Sequence, residues 1–263
     1  MMIKNKIRMG DIISESYYKK DNNGLVIIFC MGIPSKSNFE ELAKKYVDEG
    51  FVFIHPKYIG SWESYGDFSI KSCKETISSI VQGIRNKNLL SVFGEKIDLN
   101  VKKIFLLGHS FGGSVALTTG ADLDIDGIIA QSPITDYRLH AKQKEYAEKE
   151  LMQIYDFLRL GFQNFYRNLK KGDWDNFCEN GDEINPADYI DKLKAKDVLI
   201  LHGKKDKSVS YKKSRLFFGK IKGNSRFSKY IETEDDHSTI KEGSIQEIIS
   251  WIRGFENEPI QYS

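Results

Sequence analysis

The sequence predicts an α/β fold with a mostly parallel central sheet flanked by helices. Three observations carry that expectation. Short β-branched or aliphatic runs recur along the chain, each closed by Gly, Pro or polar residues. A longer stretch at helical spacing follows most of them, which is the βαβ alternation of a parallel sheet. Several runs are apolar at consecutive positions, as a strand is when helices cover both its faces and neither meets water. The chain has 263 residues, 40% of them hydrophobic, enough for one substantial core. No Pro/Gly/Ser-rich linker or fixed-period repeat divides it, so a single domain over 1–263 is expected.

In chain order, the first 24 residues are expected to hold a short antiparallel hairpin at the sheet edge. The strand runs follow as Leu25 to Gly32 (LVIIFCMG), Phe51 to Tyr58 (FVFIHPKY), Lys103 to Gly108 (KIFLLG), Asp126 to Pro133 (DGIIAQSP), Asp197 to Gly203 (DVLILHG) and Arg226 to Glu232 (RFSKYIE). Helices are expected over Asn38 to Glu49, Ser69 to Phe93, Gly112 to Ala121, Val209 to Ile221 and Ser244 to Phe255. Ser37 or Asn38, and Ser69, have the short polar side chains that accept from the free N–H groups of a first helical turn.

From Asp136 to about Asn185 the alternation stops, leaving a charged helical stretch and a loop-like DWDNFCENGDEIN. Fifty residues exceed what a crossover needs, so a small helical cap is expected at about 136–185, after the sixth strand and over the C-terminal edge of the sheet. It carries Tyr155, Phe157, Phe162, Phe165, Tyr166, Trp174 and Phe177. Of these, Tyr155, Phe162 and Trp174 are the candidates for a substrate pocket, although aromatics at helical spacing more often pack against the domain below.

Composition also excludes. Lys and Arg number 39 against 37 Asp and Glu, a formal charge of +2. The basic residues are scattered and not interleaved with aromatics, so no nucleic-acid partner is expected. The start, MMIKNKIRMGDIISES, reaches Asp11 without an apolar run of signal-peptide or anchor length, which gives the expectation of a cytoplasmic protein with no membrane partner. Cys30, Cys73 and Cys178 are an odd count without metal-ligand spacing, arguing against disulfides and against zinc.

The chemistry concentrates after KIFLL, where Gly108, His109, Ser110, Phe111 and Gly112 spell G-x-S-x-G between a strand and a helix. The turn is so tight that its middle residue is forced into a strained backbone conformation, and glycines two before and two after remove β-carbons that would collide. The serine oxygen then stands at a helix N-terminus, where the dipole and free N–H groups favour developing negative charge.

Serine needs a base, and the base needs orienting. Of the five histidines, His55, His109, His140, His202 and His237, the last is the best candidate, because it follows the final strand in a loop able to reach back over the sheet edge. Asp206, just past the preceding strand in LHGKKDKSV, is the candidate acid; a lone Asp there is otherwise most often a turn former. Ser110, Asp206 and His237 each follow a strand's C-terminal end, where active sites of open α/β sheets gather.

GHSFGG, LHGKKDKSV and the DDH loop, in that order from about Leu25 to Phe255, resemble a serine hydrolase of the α/β-hydrolase superfamily. The resemblance implies the α/β-hydrolase fold, with Ser110 as nucleophile, Asp206 as acid and His237 as base. It also implies an oxyanion hole made by the backbone amides of Phe111 and, after FCMG, Ile33. Relatives often read His-Gly where this chain has Met31-Gly32, which changes how that loop is braced. HPKYIGSWESYGDFS resembles the loop after the fourth strand, with Ile59 where an arginine is common; Trp62 is its candidate substrate contact, beside Glu63 and Tyr65.

The expected activity is hydrolysis of a carboxylic ester or related acyl substrate, partly apolar and of small or medium size, through an acyl-serine intermediate with no cofactor or metal. A serine peptidase shares the same three residues, and SPITDYR resembles prolyl-oligopeptidase and serine aminopeptidase domains. A cap carboxylate such as Glu179 or Glu183 would then hold a peptide amine. A non-catalytic binding module on the same fold is the third reading, against which the complete Ser-Asp-His set speaks.

Overall fold

The computed structural model describes residues 1–140, 151–161, 165–223, 225, 227–237 and 242–256. The N-terminal hairpin forms as expected, with β1 (Ile3–Met9) antiparallel to β2 (Ile12–Tyr18) across a turn at Gly10, whose φ is +58°. The chain then alternates: β3 (Leu25–Cys30), α1 (Glu40–Asp48), β4 (Val52–Pro56), α2 (Ile70–Arg85), β5 (Leu90–Ser91), β6 (Lys103–His109), α3 (Phe111–Asp122) and β7 (Gly127–Gln131). Between β7 and the next strand run α4 (Tyr137–His140), α5 (Leu151–Gly161), α6 (Lys171–Asn180), two short 3-10 turns and α7 (Ile190–Leu193). The last elements are β8 (Val198–Gly203), α8 (Tyr211–Ile221), β9 (Lys229–Thr233) and α9 (Glu242–Arg253).

The strands form one sheet in the order β5-β1-β2-β4-β3-β6-β7-β8-β9. Pairing is parallel from β4 through β9, with Ile28 against Ile54 and Leu107 against Ile129, and antiparallel among β5, β1, β2 and β4. Every residue of β3, β4, β7 and β8 is buried, the outcome anticipated from consecutive apolar positions. The helix α3 is buried on all sides except at its last residue, which is why FGGSVALTTGA carries no polar face. At one end Tyr46 of α1 stacks on Phe53 at 5.7 Å, and at the other Trp251 of α9 packs edge-on to Phe105.

Several boundaries differ from the sequence reading. The helix expected to reach Phe93 ends at Arg85, because Lys87 adopts φ +51° and Leu90–Ser91 pairs with β1 as an edge strand. That two-residue strand makes β7 the strand counted as sixth from the sequence. α1 starts at Glu40 with Phe39 at the N-cap; Asn38 acts one residue earlier, its Oδ1 accepting the Glu40 N–H at 2.7 Å. Ser69 caps α2 in a reciprocal pair with Ser72, as its position implied. β9 begins at Lys229, and Arg226, its expected start, lies outside the described residues.

A charged cluster lies inside this frame. The antiparallel register sets Glu15 of β2 opposite His55 of β4, and both are buried. Burial pushes the Glu15 carboxyl up, but the neighbouring His55 at 3.8 Å, the Lys57 ammonium and the hydrogen bond from Tyr17 outweigh it and hold the group at about 2. Burial pushes the His55 imidazole down to about 4. His109, half-buried and close to His237, is also pushed down to about 4. An unfolded chain takes up these imidazole protons near the ordinary 6.5, before the folded chain does, so folded stability falls as pH drops from about 6.5 toward 4. Glu15 adds a further loss as pH falls from 4.5 toward 2. Thermal unfolding midpoints measured from neutral to acid pH are expected to decline across the first interval, with a shallower slope in His55→Phe. A flat profile between pH 6.5 and 4 would contradict neutral imidazoles at His55 and His109.

Candidate active site

At the C-terminal end of β6 the chain turns sharply into α3, and Ser110 takes φ 56°, ψ −122°, a conformation an L-residue rarely adopts. The flanking glycines are needed on steric grounds. A Cβ on Gly108 would sit 2.0 Å from the Gly112 carbonyl oxygen, and a Cβ on Gly112 would sit 2.0 Å from that of Cys30. The turn is held by the Ser110 N–H donating to the Gln131 carbonyl at 2.9 Å and the Ser110 carbonyl accepting from the Gly113 N–H at 2.9 Å.

Three loops converge on this turn. His237, in the loop after β9, lies with Nε2 3.0 Å from Ser110 Oγ and Nδ1 2.8 Å from Asp206 Oδ2. The loop can approach so closely because Gly203 ends β8: a Cβ there would stand 2.1 Å from the Asp235 carbonyl oxygen. Ser244 at the start of α9 donates to the Asp235 carboxylate and pins the loop from the other side.

The Asp206 side chain is wholly buried. Its Oδ1 accepts the N–H groups of Ser208 and Val209, both at 2.8 Å. Its Oδ2 meets His237 and also His202, whose Nε2 is 3.2 Å away. Burial alone would raise this carboxyl, but the hydrogen bonds from His202 and His237 and those backbone donors carry it far below the ordinary carboxylate range. It is therefore a fixed anion facing His237. His202 holds one orientation, with Nδ1 2.8 Å from Ser214 Oγ and Nε2 3.0 Å from the Val209 carbonyl oxygen. Its contact with Asp206 is absent from the sequence reading, although the His202-to-Asp206 spacing at the end of a strand is a usable signal for it.

Phe111 opens α3, so its amide is among the first-turn N–H groups without a carbonyl one turn back. Ile33 lies in the loop after β3, beside the turn: a Cβ on Gly112 would come 2.7 Å from the Met31 carbonyl oxygen. In place of the His-Gly common in relatives, that loop is tied by Tyr58 Oη donating to the Met31 carbonyl at 2.8 Å and by the Ser35 N–H donating to Tyr166 Oη at 3.1 Å.

The expected substrate contacts are dispersed. Trp62 (φ 48°) stacks on Phe165 with ring centroids 4.2 Å apart, in a clip where residues 165–168 lie along residues 60–68. Tyr155 is partly buried and its hydroxyl donates to the Leu169 carbonyl at 3.3 Å. Trp174 is 1% exposed and packs against Phe177, which in turn lies edge-on to Phe111. Phe162 lies outside the described residues. The Glu183 carboxylate sits 4.0 Å from the Lys71 ammonium. Among the described residues no three of His, Cys, Asp and Glu stand together as a metal-ligand set. Nor is any described helix long and apolar enough to cross a membrane.

Solved structures share this architecture. DcsB, solved with its substrate analogue, has a TM-score of 0.66 at 18% identity, covering 98% of this chain and 99% of its own. Est1E from Butyrivibrio proteoclasticus has a TM-score of 0.62 at 21% identity, covering 96% of each chain, and has also been solved with ferulic acid bound. The Pyrococcus furiosus esterase Pf2001 has a TM-score of 0.66 at 15% identity, covering 99% of this chain and 92% of its own. No curated protein matches the chain. The BD-FAE family model matches residues 29–221, from β3 through α8 and including the Ser110 turn and Asp206. With its mostly parallel sheet and the motifs on its C-terminal edge, the chain belongs to the BD-FAE family, an esterase family of the α/β-hydrolase type.

Proposed function

We propose that the protein is a serine hydrolase that cleaves a carboxylic ester through an acyl-serine intermediate. The observation that carries this reading is a single imidazole, His237, within 3.0 Å of Ser110 Oγ and 2.8 Å of the buried Asp206 carboxylate. Ser110 Oγ attacks the ester carbonyl carbon as His237 Nε2 takes its proton, and the carbonyl π electrons move onto oxygen. The amides of Phe111 and Ile33 donate to that oxyanion, an interaction strengthened as charge develops and therefore catalytic. The intermediate collapses by breaking the bond to the alcohol oxygen, which receives the proton from His237 and departs. Water then attacks the acyl-Ser110 carbonyl, giving one proton to His237, which returns it to Ser110 Oγ as the acid leaves. Asp206 remains ionised throughout and keeps the Nδ1–H tautomer of His237 facing it.

The substrate in this reading is a small molecule with a partly apolar acyl group. Esters of aromatic acids are the first class to offer, since Est1E, alike in fold, has been solved with ferulic acid bound. A cytoplasmic setting belongs to the same proposal; the buried thiols of Cys30, Cys73 and Cys178 are all free, as reducing conditions would keep them.

A fluorophosphonate probe is expected to label the wild type only on the peptide containing Ser110, and Ser110→Ala not at all. Ester turnover in Ser110→Ala is expected to fall by roughly 10⁴- to 10⁶-fold with the fold intact by circular dichroism. A correctly folded wild type that takes no label would overturn the proposal. In Asp206→Asn the carboxamide can no longer hold the same tautomer, so kcat is expected to drop by about 10⁴-fold while KM changes little. Equal turnover by this variant and the wild type would remove Asp206 from the mechanism.

A further inference from the structure

A second polar cluster, outside the Ser110 site, is buried between β2, β4 and α1 and ends on the loop that carries Ile33. Its centre is Lys57, whose side chain is 0% exposed. An ammonium has three N–H donors, and three acceptors surround this one: the Ser37 carbonyl oxygen at 2.5 Å, His55 Nδ1 at 2.7 Å and Glu15 Oε2 at 3.2 Å. Tyr17 Oη donates to the same Glu15 oxygen at 3.0 Å. Because His55 Nδ1 accepts, its proton sits on Nε2, and the ring lies edge-on to Phe39 and Phe29 with centroids 4.8 and 5.8 Å away. The pairing of Glu15 with His55 and of Tyr17 with Phe53 explains the convergence: alternate residues of both strands leave the same face of the sheet.

Joining β2 to β4 does not require such a cluster, because the backbone ladder already does so and apolar residues can replace a buried ion pair with little loss. What an apolar pair cannot do is donate to the Ser37 carbonyl. Among the described residues, that carbonyl is one of three points at which the loop between β3 and α1 is hydrogen-bonded from outside, the others being the Met31 carbonyl to Tyr58 and the Ser35 N–H to Tyr166. The three ties bracket Ile33.

We propose that Lys57 is a positioning residue: oriented by Glu15 and His55, its ammonium clamps the Ser37 carbonyl and so fixes the loop that presents the Ile33 amide to the oxyanion. The proposal rests on the reading of Ser110 as nucleophile and of the Ile33 amide as oxyanion donor. Lys57 touches no reacting atom and acts only through the loop.

Lys57→Met alone leaves the buried Glu15 carboxylate without its nearest cation, with Lys4 at 3.8 Å from Oε1 and the Tyr17 hydroxyl beside it, so the informative variant is Glu15→Gln/Lys57→Met, which removes both charges of the Lys57 pair. In the folded double variant, amide hydrogen exchange at Ile33 and at residues 35–37 is expected to rise at least about tenfold, while the β3 and β6 amides keep their protection. The kcat for a soluble ester is expected to fall by about 10- to 100-fold with KM within about threefold, because the displaced amide matters chiefly in the transition state. Wild-type kcat in the folded double variant, whatever its exchange, would overturn the positioning role. So would wild-type exchange in the loop. Exchange in the unsubstituted protein gives a test that needs no variant: loop amides at unstructured-peptide rates would overturn the clamp. Failure of the Ser110 reading shows separately, as a wild type that takes no fluorophosphonate label.

Discussion

The first turn of α3 lies so close to the end of β3 that no β-carbon fits between Gly112 and the Cys30 carbonyl oxygen, and everything at this edge of the sheet depends on that approach. It sets the pitch of the turn out of β6, and the turn holds Ser110 in left-handed backbone space. A residue so placed costs about 1–3 kcal/mol and persists only where its surroundings leave no alternative. Here α3 supplies that insistence. It is buried along nearly its whole length, and Ser114 Oγ donates to the Ile134 carbonyl at 2.7 Å while Tyr137 Oη bonds to Ser114 Oγ at 3.1 Å. Displacing the helix to relax one serine would open the centre of the core.

Electrostatics follows from the same closeness. With β8 ending in Gly203, the loop carrying His237 folds down onto the sheet and leaves Asp206 dry beneath it. A dry carboxylate is tolerable only when its lone pairs are occupied, and Asp206 faces two backbone N–H groups and two imidazoles. His202 meets the same Oδ2 as His237, so the anion is fixed from two directions besides the backbone donors. In the proposed mechanism this amounts to preorganisation, because the groups that would stabilise an imidazolium are already oriented.

The segment between β7 and β8 reaches the site through backbone as well as side chains. Residues 165–168 exchange hydrogen bonds with residues 60–68, the Trp62 N–H donating to the Phe165 carbonyl and the Arg167 N–H to the Gly60 carbonyl. Tyr166 of this clip then accepts the Ser35 N–H. The loop bearing Ile33 is thus held by the segment between β7 and β8 and also by Lys57, a cation that its strand neighbours orient.

Local chemistry was legible in the sequence. Consecutive apolar residues in LVIIFC and VLILHG mark strands without a wet face, Ser69 marks the start of α2, and G-x-S-x-G marks a turn only glycines can flank. The separate positions of Ser110, Asp206 and His237 at strand ends could also be read, because strand order in a parallel sheet puts those ends on one edge. Other features needed the fold. Leu90–Ser91 looks like a continuation of α2 until β1 offers it a partner, and Trp174 looks like a pocket residue until its neighbours bury it. His202 on Asp206, Tyr166 on Ser35 and Lys57 on Ser37 join residues brought together by packing alone. Periodicity and spacing report what a residue does to its own segment; which distant carbonyl or carboxylate a side chain meets is decided by how the sheet, the helices and the segment between β7 and β8 pack.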